Sequence, residues 1–287
     1  MKKKKKEKKI LYQLIFSAFL LFSNAYLVKA NSDILSQDST GKYCINTEQD
    51  YYNFIENIQN YNNKTVILCN DIDISDVPEA TSSFGGILNG KGHTITYASK
   101  EAKENIAVFP FRINDNGIVE NINVQIDESY AYNSETDEFQ TVFSRCDGIA
   151  KGITIKGNVT CIYDDEDTDV YIGAIEGNGT LMDSSIAITY DLQSEKTIEE
   201  IADDIVDNDL SFEFCQLGTI NTGITYQNCI GYGQYSEAIK SLADELEPKI
   251  KDNTWGYLRV SFTRKSFFST SASATNCYYD KENMEVS

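Results

Sequence analysis

The sequence predicts an all-β solenoid, and three observations carry that expectation. Asn116-Gly117-Ile118, Asp147-Gly148-Ile149 and Asn178-Gly179-Thr180 place their glycines thirty-one residues apart, twice over, and self-similarity at a fixed period of this size marks a stack of repeated units. Seven residues after each of these glycines stands an apolar residue, Val124, Ile155 and Ile186, and the same offset from Gly223 reaches Ile230. From Thr65 onward, short β-branched and aromatic runs alternate with Gly, Asn and Asp, which is the pattern of strands divided by turns.

The chain opens differently. Residues 2–9 hold seven lysines against one glutamate and lead into the apolar stretch Ile10 to Val28, closing on Val28-Lys29-Ala30. This order reads as a secretory signal peptide, residues 1–30, cleaved after Ala30. The alternative is an uncleaved membrane anchor, since the stretch is about long enough to span a bilayer, although Gln13, Ser17, Ser23 and Asn24 dilute it. Either reading sends the remainder out of the cytoplasm, so the expected localisation is secreted, extracellular or cell-surface associated.

Eight of the 25 basic residues and one of the 44 acidic ones lie in residues 1–30, which leaves 17 against 43 and a net charge near −26. Such a surface repels phosphate backbones, anionic lipid headgroups and acidic polysaccharides, so no nucleic-acid partner and no membrane-surface binding is expected. It also keeps an exported β-rich protein soluble. Seven cysteines in such a protein raise the question of disulfides, and an odd number leaves at least one thiol outside any intramolecular pair.

Residues 31–63 form an N-terminal segment with a capping helix. Thr47 is a candidate N-cap with Asp50 three residues on, and Tyr51, Phe54, Ile55 and Ile58 follow at helical spacing. A helix here would cover apolar core and strand edge at the open end of a solenoid. Residues 64–287 then form the repeat region. Strands are expected around Val66–Ile74, Ile87–Ile95, Val108–Phe111, Ile118–Ile126, Thr141–Phe143, Ile149–Ile155, Val170–Ile175, Ser185–Leu192, Phe212–Leu217, Gly223–Ile230 and Ala274–Tyr279.

Two insertions, at about 193–211 and 234–266, interrupt the repeat. Thr197-Ile198-Glu199-Glu200 is a capping box that opens a short helix with Ile198, Ile201 and Ile205 on one face. Ser236 caps a second, with Ile239, Leu242 and Leu246, ahead of Pro248. The recurring glycines are expected at the corners between strands, where φ > 0 is needed. Six or seven stacked coils at about 4.8 Å would make a rod of roughly 30 Å with long flat faces.

Phe84-Gly85-Gly86-Ile87-Leu88-Asn89-Gly90-Lys91-Gly92-His93-Thr94-Ile95, preceded by Leu68-Cys69-Asn70-Asp71-Ile72-Asp73-Ile74, carries a resemblance. The chain is similar here to bacterial surface proteins, adhesin-like, built with GLUG-type repeats. Gly117-Ile118-Val119-Glu120-Asn121-Ile122, Asn228-Cys229 and Asn276-Cys277-Tyr278-Tyr279 resemble later members of that series. The likeness spans roughly residues 45–280 and is strongest over 66–126. It implies a right-handed parallel β-helix with an N-terminal capping helix, to which the sequence itself adds the two short helical insertions. The insertions depart from the pattern.

Few residues suggest chemistry. His93 is the chain's single histidine, inside the Asn-Gly-Lys-Gly-His-Thr-Ile turn, where a structural hydrogen bond is the expected role. Asp165, Asp167, Asp169 and Glu176, with Ile172, match positions of an EF-hand loop and are the candidate calcium ligands. Val170 replaces the required glycine, however, and the strand pattern of 170–175 favours a solvated acidic corner. Asp71, Asp73 and Asp76 alternate with Ile72 and Ile74 and so point outward from the core. Trp255, Tyr257 and Phe262, near Phe267 and Phe268, are the candidate ligand-binding aromatics, able to stack on sugar rings; strand aromatics in a core are the competing reading. Arg259, Arg264 and Lys265 are the only close basic cluster near the C-terminus, too generic to name an active site.

For the cysteines two registers compete. Aligning Ile230 with Val124 is one; aligning Asn228 with Asn121 shifts the chain by one residue and puts Cys229 on the face of Ile122. Cys229 and Cys277, if equivalent, would stand close enough to bridge, but parallel side chains favour buried thiols instead. No catalytic constellation emerges. The expected function is binding or adhesion to an extracellular glycan or a host or cell-surface protein, without catalysis and without a cofactor beyond the calcium candidate. A polysaccharide lyase or glycoside hydrolase on the same frame, or a structural surface-layer component, are the alternatives.

Overall fold

The computed structural model describes residues 34–75, 77–78, 80–98, 107–131, 138–163, 170–208, 210, 212–215, 223–252 and 273–279. In chain order the strands are β1 (Tyr43–Ile45), β2 (Thr65–Leu68), β3 (Ile72–Ile74), β4 (Ile87–Asn89), β5 (Thr94–Ala98), β6 (Phe109–Ile113), β7 (Ile118–Glu120), β8 (Asn123–Ala131), β9 (Glu138–Cys146) and β10 (Ile149–Lys151). They continue as β11 (Thr154–Ile162), β12 (Val170–Ile175), β13 (Thr180–Met182), β14 (Ser185–Gln193), β15 (Phe212–Cys215), β16 (Thr225–Gln227), β17 (Ile230–Gly231), β18 (Gln234–Tyr235), β19 (Ser273–Thr275) and β20 (Tyr278–Tyr279). Three helices join them: α1 (Glu48–Glu56), α2 (Ile198–Asp207) and α3 (Glu237–Asp252).

These strands form three sheets in which every pairing is parallel. Sheet A runs β1-β2-β4-β7-β10-β13-β16-β19, sheet B runs β3-β5-β8-β11-β14-β17-β20 with β18 also on β14, and sheet C runs β6-β9-β12-β15. From β4 to β15 the chain visits sheets A, B and C in turn, whereas β1 and β2 are successive strands of sheet A and β3 in sheet B is followed by β4 in sheet A. Eight rungs in sheet A at about 4.8 Å give roughly 34 Å, slightly more than the six or seven coils expected. The first two rungs need only 22 or 23 residues (Tyr43↔Val66, Val66↔Leu88), the next three repeat at 31 (Leu88↔Val119↔Ala150↔Leu181), and the inserted helices lengthen the last two.

Alternation inside each strand decides what is buried. In sheet A the ladder Leu88, Val119, Ala150, Leu181 and Tyr226 points inward and is essentially inaccessible, as is Ile95, Val124, Ile155 and Ile186 in sheet B. Burying each large side chain of this kind contributes about 1.5–3 kcal/mol. Sheet C supplies aromatics, with Phe109 stacked on Phe143 at 4.7 Å between ring centres.

At the N-terminal end a helix packs against the first rungs. Thr47 Oγ1 accepts the Asp50 N–H, α1 follows, and its Phe54 ring meets Phe84 and Phe111 edge-on at 5.4 and 5.7 Å. Tyr51 donates from its hydroxyl to the Val108 carbonyl. Ile58, assigned to this helix from its spacing, begins a 3₁₀ turn (Ile58–Tyr61) instead. Ahead of α1, strand β1 was not legible in the polar stretch; its outer edge is covered by an antiparallel bridge, Gln37 to Tyr43, which removes a free edge. A disulfide joins Cys44 to Cys69 and ties rung one to the chain leaving rung two.

The repeat glycines do lie at a corner, the one from sheet C to sheet A, but without the positive φ expected of them. The turn from sheet A to sheet B is where positive φ recurs from rung to rung, at Lys91 (51°) with Gly92 (82°), then Asn121 (55°), Gly152 (61°), Asp183 (51°), Asn228 (53°) and Asn276 (53°). This turn splits the runs expected as single strands, such as Ile118–Ile126, into a sheet A strand and a sheet B strand. Gly117, Gly148 and Gly179 have ordinary φ; a Cβ on Gly148 would lie 2.3 Å from the carbonyl oxygens of Asn114 and Gly117, and one on Gly179 would lie 2.2 Å from that of Gly148. They recur because successive backbones pack against each other there with no room for a side chain.

Gly223 is not the fourth member of that column. Thr180 pairs with Thr225, so Ile224 occupies the register of Gly179, and Ile230 pairs with Ser185 and is 43 % exposed. The alignment through Asn228 is the one adopted, and Cys229 lies buried in the column of Ile122 and Ile153. Both inserted helices form where expected. Thr197 and Glu200 complete the capping box of α2, burying Ile201 and Ile205, and Ser236 Oγ accepts the Ile239 N–H at α3. Helix α3 continues through Pro248 to Asp252 rather than ending before it. The pairing of Lys249 with Glu245 and with Asp203 of α2 holds that last turn in place.

Candidate functional site

Three strands of sheet B form a long, regular surface. β8, β11 and β14 are nine residues each and pair without a register shift from Asn123↔Thr154↔Ser185 to Ala131↔Ile162↔Gln193. Because alternate residues face outward, this surface presents Asn123, Thr154 and Ser185 in one row. Gln125, Lys156 and Ala187 form the next, and Asp127, Asn158 and Thr189 the third. The rows are about 6.6 Å apart along the strands and about 4.8 Å across them. Short hydroxyl and amide groups dominate, with one lysine and one aspartate. Asn123 is partly committed, its Nδ2 donating to the Gly92 carbonyl at 2.7 Å.

A second cluster sits at the turn from sheet C to sheet A. Asp147 Oδ2 accepts from Arg112 Nε at 2.6 Å and Arg145 Nε at 3.0 Å, and its Oδ1 accepts the Asn178 N–H at 3.1 Å. Arg145 also reaches Glu176 Oε1 at 3.2 Å. The Asp147 side chain is only 6 % exposed. Burial alone would raise its carboxyl pKa, but the bonds from Arg145 and Asn178 and the nearby Arg112 charge outweigh it and hold it below the usual carboxylate range. Asp147 in turn pushes the Arg145 guanidinium up. This is an ion-paired clamp across three rungs, with its charges matched.

On sheet A, outward positions repeat at thirty-one residues as Asn89, Glu120, Lys151 and Met182. Glu120 accepts from Asn89 Nδ2 at 2.5 Å through Oε1 and pairs with Lys151 Nζ at 2.9 Å through Oε2. His93 takes the structural role expected of it: Nδ1 lies 3.1 Å from Asp71 Oδ1, which also accepts the Thr94 N–H at 2.9 Å. The Thr94 bond first, and then His93, lower the Asp71 pKa.

Of the residues singled out in the sequence, Trp255, Tyr257, Phe262, Asp165, Asp167 and Asp169 lie outside the described residues, as do Asp76, Arg259, Arg264, Lys265, Phe267, Phe268 and residues 1–30, read above as a signal peptide. Glu176 is described and is held by Arg145. Residues 170–175, which an EF-hand-like loop would wrap round an ion, run as β12 between β9 and β15. Among the described residues no three His, Cys, Asp or Glu side chains converge as a metal site. Burial pushes the Cys146 thiol up to about 12 and the Cys229 thiol up to about 11, so neither is a ready nucleophile. Cys277 Sγ lies 3.5 Å from the Cys229 N–H on the adjacent rung, and the two are not bonded to each other.

The Arg112–Arg145–Asp147 clamp was missed from the sequence. Its arginines are thirty-three residues apart, not thirty-one, because the corner from sheet C to sheet A is two residues longer between Ile113 and Ile118 than between Cys146 and Ile149. Asn89, Glu120 and Lys151, by contrast, keep the repeat spacing and could have been found by reading it for outward positions. No family model, no curated protein and no solved structure matches this chain.

Proposed function

We propose that the chain is an exported right-handed parallel β-helix that binds an extended extracellular glycan or surface protein along the outward face of sheet B. The observation that carries this is the unbroken nine-residue register of β8, β11 and β14. A rigid grid of short polar groups offers repeated hydrogen bonds to a partner that is itself extended, with little ordering cost on the protein side. The likeness of residues 66–126 to adhesin-like GLUG-repeat surface proteins and the lysine-rich, apolar N-terminus favour the same reading. Strong negative charge disfavours nucleic acid and anionic lipid as partners.

The test is a panel of neutral polysaccharides and cell-surface proteins presented to the purified chain and to the variant K156A/N158A. Binding by the parent, weakened tenfold or more in the variant at unchanged melting temperature, is expected. Retention of no glycan or protein would instead favour a structural surface-layer role. Release of reducing ends or unsaturated products would favour a lyase or glycosidase.

A further inference from the structure

The outward triad of sheet A has more than an ion pair's geometry. Asn89, Glu120 and Lys151 stand in one column on three successive rungs. One carboxylate holds both ends: Glu120 Oε1 takes the Asn89 amide nitrogen at 2.5 Å and Oε2 takes Lys151 Nζ at 2.9 Å. The Asn89 carbonyl oxygen is bound separately, by the Lys91 N–H at 2.8 Å. Glu120 is 15 % exposed, beside the isoleucine column Ile87, Ile118 and Ile149 and bracketed by Ile67 and Met182.

Each group has a part in amide exchange. A lysine amine is a nucleophile once deprotonated, a carboxylate can move protons between two nitrogens, and an N–H on the carbonyl oxygen stabilises the charge that develops there. We propose that Lys151 and Asn89 become joined by an intramolecular isopeptide bond, formed with Glu120 as proton shuttle.

In the reaction Glu120 takes a proton from the Lys151 ammonium, and the freed Nζ attacks Asn89 Cγ while the Lys91 N–H holds the carbonyl oxygen. Glu120 returns that proton to Asn89 Nδ2 and accepts the second from Nζ. The Cγ–Nδ2 bond breaks, the Cγ–Nζ bond remains, and nitrogen leaves as ammonia that carries off the extra proton as ammonium. Glu120 ends as the carboxylate it began as, and no oxidant or cofactor is consumed. The two Cα atoms are about 10 Å apart, two rung spacings, which a stretched lysine stem and an asparagine side chain just bridge. Lys151, 42 % exposed, keeps the site open for ammonia to escape.

A competing loss of ammonia from Asn89, attack by the Gly90 nitrogen to give a succinimide, is opposed because the Gly90 N–H is held by the Glu120 carbonyl at 2.8 Å. The product would fasten β4 to β10 across β7.

The experiment is peptide mapping with tandem mass spectrometry of the reduced full-length chain and of K151R and E120Q. Arginine keeps the ion pair with Glu120 but stays protonated and cannot attack. Expected for the parent is a branched peptide linking Asn89 to Lys151, lighter than its two components by one ammonia, and separate unmodified peptides in both variants. Unlinked peptides in the parent would overturn the proposal. So would an ammonia loss at Asn89 that persists in K151R, which would mark a succinimide.

Discussion

Asn228 donates from Nδ2 to Asp183 Oδ1 at 2.8 Å, and both residues hold positive φ, 53° and 51°, at the same turn of successive rungs. Asn276 extends the column, donating to Asn228 Oδ1 at 3.3 Å. The short polar side chain serves two ends at once, since Asn and Asp tolerate the left-handed region and their amides or carboxylates bind along the stack.

Asn228→Val should therefore lower stability by about 2 kcal/mol, because a β-branched residue is strained at positive φ and the hydrogen bond is lost. Asn228→Gly should lose only the bond, about 1 kcal/mol. Urea denaturation of the two variants checks the order; equal losses would mean the backbone strain is not decisive.

Gly148→Ala and Gly152→Asn make a second contrast. A Cβ at Gly148 meets two backbone oxygens at 2.3 Å, which cannot move without separating rungs, whereas at Gly152 it meets the Asn121 side chain at 2.8 Å, which can turn away. Gly148→Ala is expected to cost about 3 kcal/mol or more, or to abolish folding. Gly152→Asn, entering a column that already accepts Asn at positive φ, should cost under about 1 kcal/mol. Thermal melts of both variants read the difference.

Asp147 predicts an acid-sensitive step. Its folded pKa lies below the ordinary value of about 3.9, so its contribution is fully present above that value and is lost as pH falls through the folded pKa. Asp147→Asn should destabilise by about 1–2 kcal/mol at pH 7, since two half-exposed arginines lose their shared carboxylate. The gap between parent and variant should stay constant down to about pH 5 and close below about pH 4. Denaturation across that range measures it, and a gap that widens in acid would contradict the assignment.

Removing the disulfide by Cys44→Ser/Cys69→Ser should lower stability by about 3 kcal/mol, from the entropy of a loop closed over 25 residues. A reducing agent should lower the melting temperature of the parent and leave this double variant unchanged.

Several features were legible because the chain states them locally. Thr47 and Thr197 announce α1 and α2 through their caps, and the thirty-one-residue spacing aligns Val119 with Ala150 and Asn89 with Glu120 and Lys151. Others depended on distant pairing. Nothing near Cys44 names Cys69 as its partner, since that bridge follows from how rung two returns beside rung one. The longer corner between Ile113 and Ile118 sets Arg112 out of the thirty-one-residue period and hides the Asp147 clamp from it.

By itself, then, the sequence determined the repeated strand-and-turn unit, the caps of its helices and the positions where they interrupt the stack, because propensity, capping and period act over a few residues. Only the tertiary structure decided which residue takes each turn. Choosing Asn228 rather than Gly223 as the fixed point of its rung shifts the register by one, which buries Cys229 and leaves Ile230 in solvent. Side chains alternate along a strand, so a single residue at a corner sets the facing of everything after it. That choice is made by the neighbouring rung, through the Asp183 carboxylate that receives Asn228 and the backbone bond from the Ile230 N–H to the Ser184 carbonyl.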